Sequence, residues 1–97
     1  SLVENKEYVL SKQVLRSGTS IGANIEEGIA AQTKKEFITK MSIASKEVRE
    51  TRYWLRLLDK SRLIASDYSH YLISINHIIN ILTKIVKTSQ ESMLNAK

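Results

Sequence analysis

The sequence predicts an all-α protein, an antiparallel up-down helical bundle, on three observations. It contains no proline, its three glycines all fall between positions 18 and 28, and its apolar residues recur at alternating steps of three and four. Proline and glycine are the strongest local breakers of regular structure, and neither occurs from Ala30 to Lys97. β-branched residues are plentiful, but they fall at helical spacing, and periodicity outranks strand propensity.

The first segment runs from about Lys6 to Ile29 and carries Leu10, Val14, Ile21 and Ile25 on one face. Gly18 and Gly22 lie one turn apart, at a cost of about 1 kcal/mol each relative to alanine. Close backbone approach by another helix is the expected compensation, with a kink at Gly18 as the alternative. Gly28 is expected as a C-cap, and Ile29 to Gln32 as the connection.

The clearest segment spans about Lys34 to Lys60. Phe37, Met41, Ala44, Val48, Thr51, Leu55 and Leu58 form an a/d seam that demands a partner helix along its length. Thr33-Lys34-Lys35-Glu36 has the form of a capping box and sets the start. A second seam, Tyr68, Leu72, Ile75, Ile79, Leu82 and Val86, follows a candidate N-cap at Ser66. Tyr71, Ile78 and Ile85 widen that stripe, so this helix is expected to touch more than one neighbour. The short link Ser61 to Ser66 makes the last two helices antiparallel. A regular antiparallel bundle has four helices, and Leu2-Val3 reads as the remnant of a preceding helix or its loop. The first helix is therefore expected to be short or missing in this chain, or its place to be taken by another subunit.

At 97 residues, positions 1–97 are expected to form one domain with a limited core of its own. The chain has no cysteine, which excludes disulfides, thiolate chemistry and cysteine-based zinc sites and favours a reducing cytoplasm. No signal-peptide layout opens it. The most apolar stretch, Tyr68 to Val86, is interrupted by Ser69, His70, Ser74, Asn76, His77, Asn80 and Lys84. That is no membrane span, and a soluble, cytoplasmic protein with no membrane partner is expected.

Charge is unevenly placed. Between Lys34 and Arg62 there are nine Lys/Arg and four Asp/Glu, so this segment holds the chain's whole excess of +5. Lys46, Arg49, Arg52, Arg56 and Lys60 form one stripe beside the core seam. Such a row can follow phosphates of RNA or DNA in a sequence-independent, salt-sensitive way. The competing reading is a solvated face, or arginines that pair acids across a subunit contact. Ile43, Trp54 and Leu57 lie off the seam, away from the arginines, and need cover from the glycine-bearing helix or from another copy. Asn24, Glu26 and Glu27 end the first helix, where carboxylates oppose the macrodipole. An interhelical hydrogen bond, or a pair with Arg16, Arg49 or a neighbour's lysine, is the expected compensation. His70 and His77 are seven apart, which does not suit ligands on one helix, and no metal or other cofactor is expected. No residue cluster spells out a reaction, so no catalytic residue is assigned and the chain is read as non-enzymatic.

Arg16-Ser17, Ser20-Ile21, Asn24-Ile25 and Glu27-Gly28 fit the pattern R-S-x-x-S-I-x-x-N-I-x-E-G. Lys35-Glu36-Phe37, Ser42-Ile43-Ala44 and Glu50-Thr51-Arg52-Tyr53-Trp54-Leu55 continue it. In these residues, from Gln13 to Leu58, the chain resembles the bacterial four-helix-bundle family of 23S rRNA intervening-sequence proteins. It departs in lacking the family's long first helix and in placing Glu26 before Glu27. The resemblance implies a four-helix-bundle type fold, a ring-like homopentamer and no enzymatic activity. A similar protein, the accessory variability determinant of diversity-generating retroelements, binds nucleic acid and a reverse transcriptase through a basic surface. Gly18, Gly22, Asn24, Glu27, Ile43, Trp54 and Leu57 are the candidates for helix–helix or oligomer contact. The leading reading is a homo-oligomer associated with nucleic acid; an oligomeric scaffold for a protein partner is the second.

Overall fold

A computed structural model describes residues 2–61 and 67–95. It contains three α-helices, α1 (Leu2–Ile29), α2 (Lys34–Ser61) and α3 (Ser69–Asn95), and no strand among the described residues. Leu2 and Val3 belong to α1 itself, not to a preceding loop, so the first helix starts earlier than its apolar pattern does.

The capping box forms at the start of α2. The Glu36 amide donates to Thr33 Oγ1 at 3.1 Å, while the Glu36 carboxylate accepts from the Gln32 amide, one residue before the expected partner. Ser66 lies outside the described residues. The visible start signal of α3 is Asp67, whose carboxylate accepts from the Ser69 hydroxyl at 2.6 Å and the Ser69 amide at 3.0 Å. Those two bonds, the hydroxyl's first, hold the Asp67 carboxyl below the usual carboxylate range.

Helix α2 is the centre of the molecule. Its seam residues Met41, Ala44, Val48, Thr51, Leu55 and Leu58 are all buried, and α1 and α3 both pack along it. Met41, Ala44 and Val48 join Ile79 and Leu82 in one cluster, flanked by Ile21, Ile25, Phe37 and Val86. Leu55, Leu58 and Tyr68 form the other, flanked by Leu10, Val14 and Leu72. Both neighbours run antiparallel to α2. Ser17 meets Thr51 while Gly28 meets Met41, and Lys34 reaches Ser92 while Arg52 reaches Asn76.

Gly28, not Gly18 or Gly22, is where a helix passes closely. Gly28 is buried, and a Cβ there would stand 3.0 Å from Met41 Cε and 3.3 Å from Lys40 Cβ. It lies inside α1, which continues to Ile29, so it is a packing residue and no C-cap. A Cβ at Gly18 or Gly22 would meet nothing within 4 Å, and both glycines are exposed. The expected close approach there is therefore not made by either of this chain's other helices.

Candidate nucleic-acid interface

The two flanks of α2 carry opposite chemistry. On the α1 side, Arg16 pairs with Glu50 and lies 3.8 Å from Glu47. Glu50 also accepts from Trp54 Nε1 at 3.2 Å, and Arg16 Nε donates to Gln13 Oε1 at 2.9 Å. Lower down, Lys40 pairs with Glu27 at 2.7 Å. Ser17 and Thr51, both buried, bring their hydroxyls within 2.7 Å of each other. Arg16, Ser17, Glu27, Glu50, Thr51 and Trp54 thus stitch α1 to α2, or bond to residues that do. Trp54 is half-buried with an edge-to-face contact to Tyr53 at 5.1 Å; Leu57 is half-buried and Ile43 exposed. Asn24 does not bond across helices, since its amide donates to the Ser20 carbonyl and hydroxyl one turn back in α1.

The α3 side carries the cations. Arg49 donates to Thr83 Oγ1 at 3.1 Å and Arg52 to Asn76 Oδ1 at 3.0 Å. Both partners are neutral. Among the described residues no carboxylate stands within ion-pair distance of Lys46, Arg49, Arg52, Arg56 or Lys60. Lys46, Arg49, Arg56 and Lys60 are exposed and Arg52 is half-buried. Partial desolvation, with the Arg56 and Arg49 charges beside it, lowers Arg52 from the ordinary arginine value. Its Nε is shielded from solvent and finds no acceptor. The stripe is a crowded, uncompensated positive edge about 21 Å long.

Helix α3 supplies a second wall that charge alone does not reveal. Ser42, Ser45, Lys46 and Arg49 of α2 and Thr83, Lys87 and Gln90 of α3, with Val86 of α3 as the apolar member, line a groove of about 310 Å³. The signal was present in the spacing: Asn76, Asn80, Thr83, Lys87 and Gln90 step by four and three, a polar stripe with no acid in it.

His70 stacks edge-to-face on Tyr71 at 5.6 Å, and His77 is exposed. Among the described residues no group of three His, Cys, Asp or Glu is placed to hold a metal ion, and no helix is long and apolar enough to cross a membrane.

The chain is thus a small all-α protein, an elongated antiparallel stack of helices with ion pairs along one flank of α2 and unpaired cations along the other among the described residues. The model of the 23S rRNA-intervening sequence protein family matches residues 1–84, and the chain belongs to that family. It is similar to a crystal structure of a protein of unknown function from the S23 ribosomal protein family of Bacteroides thetaiotaomicron VPI-5482. The two share 48% identity over 87% of this chain and 79% of that one, with a TM-score of 0.79. No curated protein matches the chain.

Proposed function

We propose that the chain is a non-enzymatic, homo-oligomeric helical-bundle protein that binds RNA or DNA through the basic edge of α2. The observation that carries this reading is the placement of five cations on one edge with no carboxylate partner among the described residues. Surface charge without a protein counter-charge is what a polyanion neutralises, with release of its own counterions. The family's description names a 23S rRNA intervening sequence, so RNA is included beside DNA among the polyanions to test.

Assembly is supported by the apolar surface the three helices leave open. Tyr8, Leu15 and Ile29 of α1 and Tyr71, Ile78 and Ile81 of α3 are exposed. Helices α1 and α3, packed on either flank of α2, leave room for a fourth helix against them, which fits the four-helix type of bundle. Gly18 and Gly22, open within the chain, offer a surface for another helix to approach closely. Five copies is the number the family resemblance implies. A cytoplasmic location fits the absence of cysteine.

The deciding experiment measures nucleic-acid affinity across a salt series on the protein and on its Arg49, Arg52 and Arg56 glutamine variant, alongside the mass of each. Affinity that falls with salt, and falls less steeply in the variant of unchanged mass, supports the reading. Wild-type protein that fails to bind at low salt overturns it and leaves an oligomeric scaffold for a protein partner, the reading that the exposed apolar residues favour by themselves.

A further inference from the structure

The groove between α2 and α3 has features that the basic stripe alone does not explain. Lys87 stands on α3, opposite Lys46 and Arg49, and adds a cation from a second helix. Glu91, four residues further along α3, makes no ion pair with it. The hydroxyls are also unusual. Thr39 of α2 donates back to the carbonyl four residues earlier at 2.9 Å, and Thr51 has the corresponding carbonyl at 2.8 Å as an alternative to Ser17. Ser42 and Ser45, on the same helix but facing the groove, make no such bond and keep their protons available. Thr83 accepts from Arg49, so its own proton is likewise free to be donated.

A site that gathers cations and free hydroxyl donors, with no acid among its lining residues, is matched to an anion that is rich in acceptors. The geometry points to this groove as the seat of one nucleic-acid strand's phosphodiester backbone. Lys46 and Lys87 close on it from opposite helices, while Ser42, Ser45 and Thr83 donate to the phosphate oxygens. The inference rests on the nucleic-acid reading above and deepens it by adding α3 as the second wall. The groove is the surface valley along two packed helices, which suits a single backbone lying lengthwise in it. Bases would point away from the protein, so recognition is of backbone and not of sequence.

The test uses a mixed-sequence single-stranded oligonucleotide, as RNA and as DNA, with the full chain and its Lys87→Gln and Ser45→Ala variants. Lys87 is exposed on the groove rim, so its variant is expected to fold and to keep the wild-type mass. Lys87→Gln should weaken binding several-fold and flatten the slope of log affinity against log salt by about 0.7 per lost contact. Ser45→Ala should weaken binding with the slope unchanged, because it removes a donor and no charge. Lys12→Gln, on α1 beside Tyr8, should behave as wild type. RNA and DNA should bind alike, since the phosphate is common to both; a preference beyond about tenfold would overturn backbone-only contact. If the wild type binds and Lys87→Gln matches it, α3 is no wall of the site and the inference fails while the basic-edge reading stands. If the wild type does not bind, both fail. A change of mass in Lys87→Gln would place the residue in a subunit contact and overturn the inference.

Discussion

Ser17 and Thr51 face each other across the α1–α2 seam, hydroxyl to hydroxyl at 2.7 Å, and both are buried. Ser17 passes its proton to the Gln13 carbonyl at 2.9 Å, and Thr51 has the Glu47 carbonyl at 2.8 Å as an alternative acceptor. Every polar atom of the pair is therefore satisfied in an otherwise apolar seam, and small side chains here let the two helices run close.

Thr51→Val keeps the shape and removes the hydroxyl. It should cost about 0.5–1.5 kcal/mol, because Ser17 retains the Gln13 carbonyl and is not left unpaired. Thermal melting of the two single variants and of Ser17→Ala with Thr51→Val gives the coupling directly. Strictly additive losses would show that the hydroxyls do not support each other.

The glycines separate packing within the chain from packing between chains. Gly28→Leu has no room beside Met41 and Lys40 and should destabilise by about 1–3 kcal/mol. Gly22→Ala meets nothing within the chain and should raise helix stability by up to about 1 kcal/mol. If Gly22 lies against another copy, Gly22→Leu should instead dissociate the oligomer without unfolding its helices. Light scattering and circular dichroism on the same sample tell these apart.

These glycines also mark what is legible in the sequence. The seams are readable because burial imposes the three-and-four spacing directly: all six α2 positions of the seam from Met41 to Leu58 are buried. Which flank of α2 each neighbour takes is not written in the spacing. That depends on where side chains such as Arg16 and Arg49 find partners 34 residues away. Spacing alone therefore assigns the close approach to the exposed Gly18 and Gly22, whereas Gly28 makes it. The basic stripe is legible as charge, but the polar stripe of α3 is hidden, because its amides and hydroxyls carry no charge.

The acid limit of stability should involve Asp67. Its folded pKa is depressed by the Ser69 bonds, so its contribution is present above the unfolded value near about 3.9 and is lost as pH falls through the folded value. Asp67→Ala should destabilise the start of α3 at neutral pH and remove this part of the acid dependence. Melting curves from neutral pH into the acid range check it; equal pH dependence in both proteins would exclude the cap.

Replacing Arg49, Arg52 and Arg56 together with glutamine tests the basic edge. Each lost phosphate contact should make the salt slope shallower by about 0.9 on duplex DNA. An oligomer repeats the edge on each copy, so the loss of affinity is amplified by multivalency. Dissociation of the oligomer in this variant would assign the arginines to subunit contacts instead.

Ile78 and Ile81 are exposed by 40% and 57% in the isolated chain. If another helix covers them in the assembled protein, Ile78→Ser with Ile81→Ser should lower the mass by light scattering while α-helical content is retained. An unchanged mass would leave these residues on a free surface.

Among the described residues, α1 and α3 each pack against α2 and make no backbone approach to one another. Every close backbone approach between helices thus joins segments that are consecutive along the chain. Such a topology has low contact order, and folding can proceed by closing one hairpin and then the other without a long loop to search. Either hairpin can form first, and whichever does presents the finished seam of α2 to the remaining helix. During synthesis, however, α1 and α2 are both complete before α3, so the α1–α2 hairpin is the one that can close first.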